Sequence, residues 1–573
     1  MIFLLLACTG APDSKEPEGS LPPLLPDPAW IKDGHLAIPE DAVVATPSPF
    51  PSDRVAWRTG FSPVQTSLSR IPGLLPEATP GEAPQKGGLI QLWDLTAGTE
   101  LWMFAERDAW PDQGDDAALL VRPSQVMPVG HEVAVVIREG ACAGGCSFPV
   151  DQRADLTKTL AAVQDLGVAD AALAWSFPIG DGTAPLRAMA PATPDTWDLS
   201  LTDADVDPAA LPDGIWRRLS GHYRTESWLE EDVRLVPDAS GLPSVVGDTE
   251  AELWIYVPDS LRDAAPGTAP VLIFGHGILS YPERYFDDGD PSGLISLANR
   301  LNAVVVCTLW RGLTFTDNLH AVQTAGDFNK IYEVTEMLAQ GVANNRALLS
   351  LIKEGGLLQD PLLEGIADPN QIFYYGISLG AIEGSVMLAN EPDQNLAVLH
   401  VGGAAWTTML ERSSNWVAFE AVVANGIADP YERQRLYALS QLFWDPVDPA
   451  SYVEDLKDRP LLYQESIGDD QVPNMTTELL HRSIGTGLAA PEVYVPDDMT
   501  TVSLPSSAPL LVQFDPELGT PPPGNRPAEV TGAHGAPRLW PGVESQTVHY
   551  FNFGGEVQHF CGSAPCSASN TGE

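Results

Sequence analysis

Apolar positions in this chain follow two rhythms, and the change between them falls near residue 195. Over about 33–195 the apolar runs are short, β-prone and cut by Gly, Pro and Asp turns. The runs 88–95, 101–105, 118–122 and 131–137 predict strands. A helix is predicted at 153–166 and a strand at 171–177. Together these predict a β-rich, sandwich-like accessory domain over 33–195.

From 196 to 573 the runs become strand, long helical stretch, strand. Predicted strands lie at 221–228, 251–258, 270–277, 302–309, 396–402, 460–464 and 509–514, with the longest helical region at 327–354. Near-continuous apolar strands alternating with helices predict a mostly parallel sheet covered on both faces, an α/β class. The span 404–452 is helical in composition, carries several aromatics and holds no sheet-like strand. It reads as an insertion above a strand's C-terminal end, a candidate lid over an apolar acyl pocket.

One turn in this second region carries chemistry. The β-prone run 372–375 leads into Gly376-Ile377-Ser378-Leu379-Gly380, and the helix-forming stretch 381–389 follows. Strand, tight turn and helix are the context of a G-x-S-x-G nucleophile elbow, which lifts a serine Oγ above the sheet edge. A serine hydroxyl attacks only when a histidine takes its proton and a carboxylate orients that histidine. After the strand 460–464 comes Glu465-Ser-Ile-Gly-Asp-Asp-Gln-Val-Pro473. Here the chain resembles the α/β-hydrolase superfamily of serine esterases and lipases, in which the acid often precedes V-P by this spacing. The resemblance implies Asp469 as the acid, with Asp470 one residue off and Glu465 third.

Four histidines follow the acid loop: His481 in an apparent helix, where a surface histidine is the default, His549 in a predicted last helix, His559 beside Cys561, and His534. His534 lies in the glycine-lined loop Thr531-Gly-Ala-His-Gly-Ala-Pro537, where the resemblance places the catalytic base. The oxyanion of such a reaction needs two preorganised N–H donors. Leu379 supplies one candidate amide, and Gly277 or Ile278, after the strand that ends in His276-Gly277, supplies the other. His276 precedes Ser378 and is expected to hold its loop by hydrogen bonding. The resemblance spans roughly 250–555 and implies an α/β-hydrolase fold with a helical lid insertion.

At 573 residues the chain exceeds one ordinary core. Hydrophobic residues make up 44%, and 50 Gly with 52 Pro mark a loop-rich globular protein rather than a disordered one. The formal charge of −46, with no basic patch, excludes nucleic acid as a partner and fits a solvated, extracytoplasmic surface. Cys142 with Cys146, and Cys561 with Cys566, each fit a small disulfide loop of an oxidising compartment; the alternative is a four-thiolate zinc site. Cys307, inside an apolar run, reads as a buried small hydrophobe. The acidic stretch 108–116 reads as a solvated turn rather than a calcium loop.

Residues 1–8 are apolar up to Cys8 and resemble a bacterial lipoprotein signal, so Cys8 is a candidate lipidation site. Residues 9–32, rich in Pro, Glu, Asp and Ser, read as a flexible linker. Signal cysteine, β-rich domain and hydrolase together resemble bacterial surface-anchored lipase-like lipoproteins. The expectation is a serine hydrolase of carboxylic esters, without metal or cofactor, acting on a small-molecule or lipid ester. It would be an outer-membrane lipoprotein of the cell envelope or secreted, with membrane attachment by the N-terminal anchor only. The alternatives are a peptidase of the same fold and an inactive surface binding lipoprotein.

Overall fold

The computed structural model describes residues 21–110, 117–287, 289–394 and 396–572; Cys8, residues 9–20 and most of the acidic stretch 108–116 lie outside them. The central sheet carries eight principal strands: β1 (Ile215–Ser227), β2 (Gly247–Pro258), β3 (Ala269–Gly275), β4 (Val304–Cys307), β5 (Ala367–Ile377), β6 (Ala397–His400), β7 (Leu462–Ser466) and β8 (Leu510–Asp515). Their order across the sheet is β1-β2-β4-β3-β5-β6-β7-β8. Trp197–Asp203 is added beyond β1, and Gly487–Ala489 and Thr501–Val502 beyond β8. β2 runs antiparallel to β1 and β4, and from β4 to β8 every pairing is parallel. This is the α/β-hydrolase sheet, and the loops after β3, β5, β7 and β8 leave from the same edge.

The apolar strands are runs because both their faces are buried. In β3, Val271 and Ile273 enter one core while Leu272 and Phe274 enter the other. In β5, Ile372 and Tyr374 face the first core, and Phe373, Tyr375 and Ile377 the second. The first core is covered by the helices Tyr332–Lys353 and Leu379–Ala389, the second by Leu294–Leu301 and Pro541–Asn552.

The N-terminal region builds two antiparallel sheets. One contains Leu24–Leu25, Ser67–Ser69, Leu119–Pro123, Met103–Arg107 and Gly81–Gln85; the other contains Ala171–Pro178, Glu132–Arg138, Ile90–Asp94 and Thr99–Leu101. The helix Ala154–Asp165 packs on the second sheet through Leu160 and Val163. The run 101–105, expected as one strand, is split at Trp102: Thr99–Leu101 belongs to one sheet and Met103–Arg107 to the other. The linker expected to reach residue 32 ends earlier. Leu24 and Leu25 are buried, pair with Ser69 and Leu68, and tie the chain into the fold from that point.

Both short cysteine loops are disulfides, Cys142–Cys146 and Cys561–Cys566, so these four sulfurs are not zinc thiolates. Cys307 is buried and free. Asp108 Oδ1 accepts from Asn525 Nδ2 and from the Trp110 amide. Among the described residues no helix is long and apolar enough to cross a membrane.

The insertion 404–452 forms three helices, Trp406–Arg412, Val417–Gly426 and Pro430–Trp444. It is wedged against the N-terminal sheets by buried charge. Arg58 pairs with Asp445 at 2.5 Å, both fully buried. Arg122 pairs with Glu411, and Arg412 reaches Glu106 at 2.7 Å and Glu82 at 2.9 Å. Buried pairs of this kind fix geometry, because separating them strands a charge without water.

Candidate active site

Ser378 is the last residue before the helix Leu379–Ala389, with φ 57° and ψ −118°. A non-glycine residue holds such a backbone only where its surroundings impose it, at a cost of order 1–3 kcal/mol. The flanking glycines show what imposes it. A Cβ on Gly376 would lie 2.1 Å from the Gly380 carbonyl oxygen, and one on Gly380 would lie 2.1 Å from that of Gly275. Strand and helix therefore touch backbone to backbone around the turn. The Ser378 amide donates to the His400 carbonyl at 2.9 Å, and Tyr374 Oη donates to the Gly380 carbonyl.

Asp469 and His534 come together from the loops after β7 and β8. His534 Nδ1 lies 2.7 and 2.9 Å from the two Asp469 oxygens. A carboxylate only accepts, so Nδ1 carries a proton and Nε2 is the ring nitrogen left to act as a base. Asp469 Oδ1 also accepts from the amides of Gln471 and Val472, at 2.8 and 2.9 Å, which hold the carboxylate from below. Both residues are buried.

Asp470 does a different job. Its oxygens accept from Thr531 Oγ1 at 3.0 Å and Ser414 Oγ at 3.1 Å, and its carbonyl accepts from the Ser414 amide at 2.7 Å. It fastens the histidine loop and the insertion to the acid loop. Glu465 points to Asn474 and Gln513 beneath the site, and burial raises its carboxyl well above the usual range.

The other histidines are elsewhere. His481, expected on a helix surface, is fully enclosed: its ring stacks edge-on against Tyr463, 4.3 Å between centroids, and burial lowers its pKa to about 3. The helix places it three residues before buried Ile484, on the same inward face. His549 pairs with Glu556 at 3.0 Å, and His559 donates to the Ala564 carbonyl at 2.8 Å.

His276 is fully buried. The Trp310 amide can only donate, so His276 Nε2 accepts from it at 3.1 Å, and Nδ1–H donates to the Gly277 carbonyl at 2.8 Å. Burial lowers its pKa to about 4, so the ring stays neutral and props the loop after β3. Gly277 differs from expectation. Its amide is already used, donating to Tyr285 Oη at 2.8 Å, because the loop after β3 folds back over its own start. That leaves Ile278 with Leu379 as the amide candidates beside Ser378. Tyr285 carried no spacing signal, since only the loop's path brings it there.

A cavity opens beside Ser378. Ile278 and Leu379 line it, with rings from the insertion and alanines from the helix Asn318–Gly326.

No protein-family model matches the sequence, and no curated protein sequence matches it significantly. Among solved structures, the chain is similar to acetyl xylan esterase 1 from a Thermoanaerobacterium species, at 13% identity over 61% of this chain and 94% of that one, with a TM-score of 0.32. An acetyl xylan esterase from a Paenibacillus species is similar at 12% identity, over 57% and 84% of the two chains, with a TM-score of 0.31. An S-formylglutathione hydrolase from Agrobacterium tumefaciens is similar at 15% identity, over 52% and 87%, with a TM-score of 0.29. At scores this low the fold stands on the chain's own strand order and elbow.

Proposed function

We propose that this protein is a serine hydrolase that cleaves carboxylic esters through an acyl-enzyme on Ser378. The observation that carries the reading is the strained Ser378 at a strand-to-helix elbow, followed in chain order by a hydrogen-bonded Asp469–His534 pair on the same sheet edge. His534 Nε2 takes the Ser378 proton as Oγ bonds to the acyl carbon. It then gives that proton to the leaving alkoxide as the C–O bond breaks. Water repeats the sequence on the acyl-enzyme, again through His534. Asp469 holds the ring in the tautomer that leaves Nε2 basic. The amides of Leu379 and Ile278 meet the oxyanion, each such donor being worth about 3–4 kcal/mol of barrier.

The test is labelling by a fluorophosphonate probe, with p-nitrophenyl ester turnover alongside. Wild type should label and Ser378→Ala should not. A wild-type protein that does not label, or a variant that labels equally, overturns the reading in favour of a binding role.

The chain is further proposed to work outside the cytoplasm, secreted or tethered by a lipid on Cys8. Two disulfides support an oxidising compartment. Mass spectrometry of the mature N-terminus decides the tether: an unmodified Met1 rules it out.

A further inference from the structure

The cavity beside Ser378 has a chemistry and a direction. Its walls include Ala321 and Ala325 from the helix Asn318–Gly326, Phe328, and Trp406, Trp416 and Trp444 from the insertion. No charged residue lines it; its polar residues are Ser378, Ser413, Asn415 and Gln471, and Asn415 Nδ2 donates to Gln471 Oε1 at 2.9 Å. The cavity is a small slot, about 60 Å³ in volume. Ser378, Leu379 and Ile278 all border it, and His534 does not.

That last point sets which half of an ester belongs inside. The leaving alkoxide must sit against His534 to receive its proton. The substituent on the other side of the acyl carbon therefore points away from His534, into the slot. Two of the slot's walls are also fixed. The helix bearing Trp406 ends in Glu411 and Arg412, which pair with Arg122 and Glu106 of the N-terminal sheets. Trp444 directly precedes Asp445, the buried partner of Arg58. Fixed walls give a slot of fixed depth.

We infer that this slot binds the acyl half of the substrate and selects an uncharged, unbranched acyl chain of limited length, the N-terminal domain setting that limit by pinning the walls. The inference rests on Ser378 being the nucleophile. Each methylene that enters the slot leaves water for an apolar wall, so kcat/KM should rise about fourfold per carbon until the slot is full. Past that length it should fall, because the pinned walls do not yield.

The experiment measures kcat/KM on p-nitrophenyl esters from acetate to dodecanoate, beside fluorophosphonate labelling of the same protein. A steep rise to a maximum supports the slot. Ala325→Leu, which fills it, should lower the octanoate-to-acetate ratio at least tenfold, and Ala321→Leu is the second variant should the first fail to fold. An adipate mono-ester, with a carboxylate at its far end, should react at least 100-fold more slowly than hexanoate. A flat or falling chain-length profile in protein that still labels at Ser378 overturns the slot and leaves the nucleophile standing. Folded leucine variants that keep the wild-type ratio overturn it equally. Loss of labelling in wild type removes the nucleophile, and the slot with it.

Discussion

The pair Arg58–Asp445 tests whether the insertion is a wall or a gate. Arg58 Nη2 lies 2.5 Å from Asp445 Oδ2, and neither side chain reaches solvent. Asp445 Oδ1 also accepts from Ser62 Oγ at 2.6 Å and Gln441 Nε2 at 3.2 Å, while Arg58 Nη1 donates to the Leu442 carbonyl at 3.2 Å. Arg58→Met keeps most of the volume and removes the charge, so the cavity contribution is small and the stranded carboxylate dominates. Removing one partner of a buried pair costs about 3–5 kcal/mol, a large share of a total of about 5–15. Burial already pushes the Asp445 carboxyl up even with Arg58 present, and without the guanidinium it rises further. A carboxyl raised in the folded state contributes stability that is present below its unfolded pKa and lost as pH rises through the folded one. The variant's deficit should therefore be largest at pH 8 and smaller at pH 5. Replacing both partners, Arg58→Met with Asp445→Leu, should recover most of the loss. Urea unfolding followed by tryptophan fluorescence at both pH values measures this. Arg58→Met within about 1 kcal/mol of wild type at pH 8, or a double variant no more stable than the single one, would refute the wedge.

Asp469→Asn should lower kcat on a p-nitrophenyl ester by on the order of 10³–10⁴-fold by destroying the His534 tautomer, whereas Asp470→Asn, which keeps an acceptor for Thr531, should cost about tenfold or less; the reverse ranking in steady-state kinetics would show the acid misassigned. Tyr285→Phe strands the Gly277 amide at a cost of about 1–3 kcal/mol, and the displaced loop should lower kcat more than it changes KM, checked by kinetics beside a thermal melt. Stability should peak between about pH 4.5 and 6.5, read from urea midpoints across pH 3–9. Buried His276 and His400, with pKa values lowered to about 4 and 3, destabilise the fold as pH falls, because the unfolded chain binds their protons first. Buried Glu336, raised to about 8, and Glu383, raised well above the usual range, destabilise it as pH rises, because the unfolded chain ionises first.

What the sequence made legible was local in the chain. The elbow could be read because its strand, its two glycines and its helix are contiguous, and the backbone contacts of Gly376 and Gly380 are what those glycines were for. The apolar strands were legible because a strand buried on both faces becomes an uninterrupted run, as β3 and β5 show. His481 could have been placed correctly, since helical spacing puts it on the face of Ile484. The engagement of Gly277 by Tyr285 left no trace, because the seven intervening residues form a loop with no period. The insertion was the larger gap. Its helices and aromatics predicted something over the site, and a lid was the expectation. Its nature depends on Arg58, Arg122 and Arg412, whose partners lie roughly 290 to 390 positions away in the chain. An arginine at such a position looks like any surface charge until its partner is known. Once paired and buried, it ties the insertion to the N-terminal region. In the slot inferred above, the accessory domain would act on the chemistry at a distance, through the width that its charges hold.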